Sequence, residues 1–166
     1  MEWIAAIGTI VIVGIVLAGL EWTGRKIQAQ PETVRKWIHI AVGHWVFLAL
    51  AWIDQWYIAI VPLLFFTVVN LITLKRGNGQ MNQVERISYG TVYYPVALAL
   101  LVMLFFEQEP MALVAGSMVL AWGDGLAALV GKRFGKTFYT RGNIKRSFEG
   151  SIAMFLASFL VLTVTF

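Results

Sequence analysis

The amino-acid sequence predicts an all-α integral membrane protein that folds as a bundle of about six transmembrane helices. Composition is the first reason: 59% of the 166 residues are hydrophobic, the mean hydropathy is +0.75, and only 13% are charged, about half the usual share in a soluble domain. Pattern is the second reason, because apolar stretches long enough to cross a bilayer alternate with short polar segments. The length favours one polytopic domain over residues 1–166.

The predicted helices follow from six apolar stretches. The predicted spans are residues 3–20, 37–53, 57–74, 87–106, 111–130 and 147–166. The first stretch follows only Met1 and Glu2, without a positively charged start, so a cleaved signal peptide is not expected. His39 and His44 interrupt the second stretch. Each stretch is expected to be helical, since backbone polar groups in lipid must find partners within their own segment.

The basic residues predict the orientation of the bundle. Of the 13 Lys and Arg residues, four lie in 21–36, three in 75–86 and six in 131–146, and the alternate side carries only acidic residues. By the positive-inside rule, these three segments are cytoplasmic and both termini are non-cytoplasmic, at the cell membrane if the source is a prokaryote. The basic excess therefore indicates orientation and contact with lipid headgroups, and no nucleic-acid partner is expected. The absence of cysteine excludes disulfides and thiolate chemistry.

Asp124 is the most informative polar residue, because it lies inside the predicted fifth span. Placing a charge near the middle of a membrane costs about 2.5–3.5 kcal/mol on insertion scales, so such a residue indicates a functional site. The alternative is a hydrogen bond between helices or a pairing with a histidine of another span. The neighbouring Gly123 and Gly125 either leave space beside the acid or let helices approach closely.

A basic segment follows this acid. In it, Lys132 lies between Gly131 and Gly135, and Lys136 follows Gly135. It looks like a P-loop but has three residues between its glycines where that motif needs four, and no predicted strand precedes it, so the motif is rejected. Backbone N–H groups and lysines in such a segment are still suited to binding phosphate.

The start of the predicted sixth span combines bases, a hydroxyl and an acid. Ser147 and Glu149 are suited to capping a helix. Lys145 and Arg146 precede them, and a helix N-terminus behind two bases is also an anion site. Glu149 is suited to join Asp124 in holding a divalent cation, because Mg²⁺ usually takes one or two carboxylates together with substrate phosphates.

Earlier in the chain, Arg35, Lys36 and His39 lie at the start of the predicted second span. Either the bases anchor the span at the headgroups and His39 is a buried structural residue, or the bases bind phosphate and His39 donates or accepts a proton. In the predicted fourth span, Pro95 cannot donate a hydrogen bond to the carbonyl of Thr91. The Thr91 carbonyl is therefore a free acceptor, which indicates either a simple kink in the helix or a group that lines a binding site.

Four of these stretches, in order along the chain, resemble the dolichol kinase and phytol kinase family of polyprenol kinases. They are Arg35–His39, Gly90–Pro95, Gly123–Gly135 and Arg146–Ser151. The resemblance implies phosphoryl transfer from a nucleoside triphosphate, usually CTP, to the hydroxyl of phytol, geranylgeraniol, a polyprenol or dolichol. The family is related to the cytidylyltransferases that make CDP-diacylglycerol, which also implies a CTP site.

The chain departs from the family pattern in two places. Arg146 stands where the family usually has Lys, which keeps the charge but changes the donor geometry. The chain also ends at Phe166, earlier than the family pattern leads us to expect. A further helix would then be needed to complete the lipid groove, or a partner copy in a homo-oligomer would supply it.

The resulting hypothesis is a CTP-dependent kinase of a membrane lipid alcohol, with its active site at the cytoplasmic face. The predicted catalytic residues are Asp124, His39 and Glu149, with Asp124 and Glu149 as Mg²⁺ ligands. The predicted nucleotide- and phosphate-binding residues are Arg35, Lys36, Asn70, Gly90, Thr91, Lys132, Lys136, Lys145, Arg146 and Ser147. Two alternatives remain: a cytidylyltransferase that makes a CDP-activated lipid, and a non-enzymatic small transporter or lipid-binding membrane protein.

Overall fold

A computed structural model describes residues 2–76, 89–141 and 144–166. Its elements are α1 (Glu2–Lys26), α2 (Pro31–Gly43), α3 (Trp45–Trp52), α4 (Trp56–Arg76), α5 (Gly90–Phe105), α6 (Pro110–Met118), a π turn (Val119–Gly123), α7 (Asp124–Phe134), β1 (Phe138–Arg141), β2 (Ile144–Ser147) and α8 (Phe148–Thr165). The side chain of Lys145, a predicted phosphate-binding residue, lies outside this description, as does most of the predicted loop 75–86.

The structure confirms an all-α multi-pass membrane protein. Within the described ranges, four helices are long and apolar enough to cross a bilayer: Glu2–Lys26, Trp56–Lys75, Pro110–Phe134 and Phe148–Thr165. Their outward faces expose large apolar side chains, including Phe155, Phe159 and Val164 on α8. Exposed apolar surface on this scale would be unfavourable in water, and it is what a helix facing lipid tails needs.

The predicted second span is divided into two helices at His44. α2 begins at Pro31, where proline is favoured because the first helical N–H needs no partner. His44 Nδ1 donates a hydrogen bond to the carbonyl of Ile40 (2.7 Å), and the His44 backbone N–H bonds instead to Ala41 (3.2 Å). The side chain therefore occupies the carbonyl that would continue the helix. α3 then adds only eight residues.

The predicted fourth span is also shorter than expected in the described part of the chain. α5 has 16 residues, about 24 Å at 1.5 Å per residue, against a hydrocarbon core of about 30 Å. The predicted start of this span, at residues 87 and 88, lies outside the described residues.

The prediction of a basic loop over residues 131–146 is wrong. α7 continues to Phe134, and an antiparallel hairpin follows, in which Phe138 pairs with Ser147 and Tyr139 with Arg146. Aromatic and β-branched residues at 138–140, followed by Gly142 and Asn143, form the sequence pattern of a hairpin. The positive charges of the segment obscured that pattern.

α2 lies at the centre of the described packing, against α1, α7 and the π turn. Glycine makes the closest approach possible. A Cβ atom on Gly43 would overlap the side chain of Ala121 and lie 2.8 Å from the hydroxyl of Tyr94. α7 and α8 cross with similar closeness, since a Cβ on Gly150 would lie 2.6 Å from the carbonyl of Ala127. These contacts bring the polar residues of α2 against the start of α7.

Candidate active site

The centre of the site is an ion pair between α2 and α7. Lys36 Nζ lies 2.5 Å from Asp124 Oδ2, although the two residues are 88 positions apart in the sequence. The Lys36 side chain is only 7% exposed, whereas that of Asp124 is 45% exposed. The pair therefore combines a buried ammonium group with a carboxylate that is still accessible from outside the bundle.

The π turn positions Asp124 for this contact. It occupies Val119–Gly123, directly before Asp124, in an otherwise continuous helix from Pro110 to Phe134. One additional residue in a turn rotates everything that follows by about 100° around the helix axis. Single π turns are rare and often occur at functional sites. This turn was not predicted, because no residue in Val119–Gly123 provides a clear sequence signal for it.

His39 lies one helical turn after Lys36 and completes the polar cluster. Its Nδ1 is 3.6 Å from Asp124 Oδ2 and has no hydrogen-bond partner within the described residues. The ring stacks on Tyr94 of α5 at a centroid distance of 4.2 Å, and the Tyr94 hydroxyl donates to the His39 carbonyl (2.6 Å). α5 therefore holds the histidine at both its backbone and its ring.

Tyr94 is a site residue that the predicted set omitted. It belongs to the stretch Gly90–Pro95, which carried the resemblance, but a tyrosine in a membrane helix gives no signal of which backbone carbonyl it will reach. Its hydroxyl supports α2 and leaves the imidazole edge available, which is the function of a positioning residue. Around Asp124, the structure thus brings together the predicted residues Lys36 and His39.

Arg35 is buried beside this cluster but is directed along its own helix. Its Nη2 lies 2.6 Å from Glu32 Oε1, one turn earlier in α2. Lys36, the next residue in the sequence, contacts the carboxylate of Asp124.

Glu149 has partners different from those of Asp124. Its Oε1 accepts hydrogen bonds from the backbone N–H groups of Lys136 (3.0 Å) and Thr137 (3.1 Å), which connects the start of α8 to the segment before β1. Its Oε2 is shielded and has no partner among the described residues. No group of three or more His, Cys, Asp or Glu side chains in the described ranges is arranged to hold a metal ion.

The remaining predicted phosphate-binding residues surround the hairpin. Ser147 caps α8, because its Oγ accepts the N–H of Gly150 (3.1 Å). Lys132, Lys136 and Arg146 are exposed. They form an accessible basic surface at the end of α7 and the beginning of α8, on the same connection as Glu149.

Thr91 and Asn70 are linked to each other. The Asn70 side-chain amide donates to the Thr91 carbonyl (2.9 Å), the acceptor that Pro95 leaves without its usual helical partner. Gly90 begins α5 one residue earlier. The polar groups of this part of the bundle thus connect α4 to α5 near the Tyr94–His39 contact.

The sequence is similar to those of phytol kinases. The chain is 37% identical to a phytol kinase of Synechocystis over 165 residues, which is 98% of this chain and 70% of that protein. It is 31% identical to a probable chloroplastic phytol kinase of Triticum aestivum, covering 84% of the chain and 50% of the relative. It is 27% identical to Arabidopsis thaliana phytol kinase 1, covering 89% of this chain and 52% of that protein.

The chain thus spans 70% of the cyanobacterial relative but only about half of the plant relatives. No model of a protein family matches it, and no solved structure matches it. A helical membrane fold with a charged cluster, together with these relatives, defines the class as phosphotransferases with an alcohol acceptor. Within that class, the chain belongs to the phytol kinase family.

Proposed function

We propose that this protein transfers the γ-phosphoryl group of CTP to the hydroxyl of an isoprenoid alcohol at the cytoplasmic face of the membrane. The cluster of Lys36, His39 and Asp124 is the observation that supports the proposal best. It combines a cation, an accessible carboxylate and an imidazole whose Nδ1 has no hydrogen-bond partner in the part of the chain that the structure describes. The relatives of the chain include a protein named phytol kinase.

Asp124 fits the role of a ligand for the Mg²⁺ of a nucleotide. Its side chain is 45% exposed, and Lys36 contacts Oδ2. Mg²⁺ in nucleotide sites usually takes one or two carboxylates and completes its coordination with phosphates and water, so a large protein cage is not required. Glu149 is proposed as the second carboxylate. When bound, Mg²⁺ would neutralise charge on the transferring phosphoryl group.

The residues of the chain itself would position and neutralise the reactants. Phosphoryl transfer needs little covalent help from the protein and depends on alignment and electrostatic stabilisation. Lys36, held beside Asp124, would attract the phosphates in a region of low dielectric. His39 would accept the proton that the alcohol loses as its oxygen forms the new bond to phosphorus and the bond to CDP breaks.

The exposed bases near the hairpin would guide and hold the nucleotide. Lys132, Lys136 and Arg146 are exposed near the start of α8, which is capped by Ser147. Lys145, whose side chain lies outside the described part of the chain, is proposed to join them from its place in the sequence. A helix N-terminus with nearby cations is a favourable phosphate site. Their position on the predicted cytoplasmic side would let a soluble nucleotide meet a lipid that stays in the membrane.

The test is a product assay with the purified protein in lipid. Phytol, geranylgeraniol, a polyprenol and dolichol are incubated with CTP, UTP or ATP labelled on either the α- or the γ-phosphate. The proposal predicts label in the lipid only from the γ-position, dependent on Mg²⁺, and loss of turnover in Asp124→Asn. Label from the α-position would indicate a cytidylyltransferase instead, and the absence of any labelled lipid would contradict kinase activity.

A further inference from the structure

An apolar groove lies between α1, α2, α4 and α5, with His39 as one of its lining residues. Its walls include Val13 and Leu17 of α1, Val42 of α2 and Phe66 of α4. About 400 Å³ within it is unfilled, part of which is open to the surroundings.

The polar groups of the groove gather around α5. His39, Asn70, Thr91 and Tyr94 line it together with Pro95. The Asn70 amide nitrogen and the Tyr94 hydroxyl are already used, the first on the Thr91 carbonyl and the second on the His39 carbonyl. Both bonds connect helices and keep this part of the groove in shape.

The Thr91 hydroxyl does not connect helices in this way. Thr91 is 4% exposed, and its Oγ1 has no hydrogen-bond partner among the described residues. Buried hydroxyls are nearly always paired, because an unsatisfied one loses its hydrogen bond to water without replacement. A serine or threonine in a helix can bond to its own preceding turn, but this hydroxyl does not. It therefore indicates a ligand with a hydrogen-bonding group.

The lining also excludes a nucleotide as the occupant. The groove is walled by aliphatic and aromatic side chains, with no Lys or Arg among its lining residues. A triphosphate needs cations, and these lie instead at Lys36 and on the hairpin side. A molecule with one hydroxyl and a hydrocarbon body matches both the unpaired Thr91 hydroxyl and the apolar walls.

We propose that this groove binds the alcohol end of the acceptor lipid, with its hydroxyl on Thr91 Oγ1 and its first isoprene units between α1 and α4. This inference rests on the proposed kinase function and refines it. Thr91, predicted from the sequence to bind phosphate, becomes a residue that recognises the acceptor. His39 lies between this groove and the pair of Lys36 and Asp124, since it lines the groove and its Nδ1 is 3.6 Å from Asp124 Oδ2.

The first test measures binding without turnover. A C20 prenyl alcohol that carries a diazirine near its hydroxyl is photolysed with the protein in lipid, and the labelled peptides are mapped by mass spectrometry. The expected labels lie on α1, α2 and α5 around the groove, and excess phytol removes them. Labels spread over the outer faces of α4 and α8, or labels that excess phytol does not remove, would overturn the proposal and indicate ordinary bilayer lipid.

Two variants narrow the groove and provide its control. Leu17→Trp adds bulk to the wall, whereas Ile15→Trp adds a similar ring on the outward face of the same helix, where Ile15 is exposed. In Leu17→Trp we expect weaker photolabelling and a preference for C10 over C20 alcohols that rises about tenfold over that of the unmodified protein. An equal change in both variants would overturn the assignment.

Thr91→Val tests the hydroxyl at nearly constant volume. The expected result is a rise in the KM for the alcohol on the order of tenfold, the equivalent of one hydrogen bond, with an unchanged KM for CTP. Thr163→Val, on an exposed part of α8, is the control and should change neither. A rise confined to the KM for CTP would return Thr91 to the nucleotide site and refute the proposal.

The two proposals fail separately. Phosphorylation of phytol by the unmodified protein, with no competed label in the groove, would refute the groove and leave the kinase intact. Competed label in the groove, with no phosphorylation from any nucleotide, would refute the kinase and leave a binding site for prenyl alcohols.

Discussion

Removing Asp124 should destabilise the protein more than removing its partner Lys36 does. The difference in exposure is the reason: 7% for the lysine side chain and 45% for the aspartate side chain. In Asp124→Asn, the Lys36 ammonium stays buried and loses the negative charge that lies 2.5 Å away. In Lys36→Met, a chain of similar length fills the same space, and the half-exposed carboxylate can be solvated.

The magnitudes follow from these environments. Breaking a fully buried pair costs about 3–5 kcal/mol, and a hydrogen bond to a charged group contributes about 1.5–3 kcal/mol. Because water reaches Asp124, we expect the lower range, about 1.5–3 kcal/mol, for Asp124→Asn. We expect about 1 kcal/mol or less for Lys36→Met, as for an exposed pair. The double variant should recover about 1–2 kcal/mol relative to Asp124→Asn.

Thermal unfolding in detergent, followed by tryptophan fluorescence, measures this order. At about 2–4 °C per kcal/mol for a chain of this size, Asp124→Asn should lower the apparent Tm by about 3–12 °C. Lys36→Met should lower it by at most about 4 °C, with the double variant between the two. Equal losses in the two single variants, or additive losses in the double variant, would refute the argument from burial. The experiment does not depend on kinase activity.

Three further predictions concern the surroundings of this pair. Glu149→Gln keeps an oxygen for the N–H groups of Lys136 and Thr137 but removes the charge. It should therefore raise the Mg²⁺ concentration needed for half-maximal turnover and leave the Tm nearly unchanged. An unchanged Mg²⁺ titration would assign Glu149 to the hairpin alone. Tyr94→Phe keeps the ring on His39 but removes a 2.6 Å hydrogen bond, so it should cost about 1 kcal/mol in thermal unfolding and lower kcat; unchanged kcat would exclude a positioning role. Gly43→Ala should lower stability by about 1–3 kcal/mol through overpacking, whereas Gly14→Ala, with no atom within 4 Å of the new Cβ, should have almost no effect; similar Tm values for both would contradict the close approach at Gly43.

Some parts of the site could be predicted from the sequence because their causes are local. An acid within an apolar stretch is visible without a structure, and so Asp124 was identified as the central residue. Proline removes a specific hydrogen bond, and so the free carbonyl of Thr91 could be predicted from Pro95. The structure adds that Asn70 occupies this carbonyl, which only the packing of α4 on α5 determines.

Other parts could not be predicted because they depend on contacts between distant residues. Glu149 was paired with Asp124 on chemical grounds, yet its Oε1 bonds to the backbone at Lys136 and Thr137. The basic charge of residues 131–146 suggested a loop, whereas pairing between two strands makes a hairpin. Charge reports on the preferred side of the membrane and does not specify backbone pairing.

The sequence by itself determined the membrane class, the apolar helices and the family, because hydropathy and short motifs are properties of neighbouring residues. Only the tertiary structure decided that Asp124 meets Lys36 and His39 and that Thr91 lines an apolar groove. The physical reason lies in packing. A π turn rotates α7, and Gly43 lets α2 approach it closely. The free-energy cost of the π turn and the packing gained at Gly43 both depend on contacts between helices that are far apart along the chain.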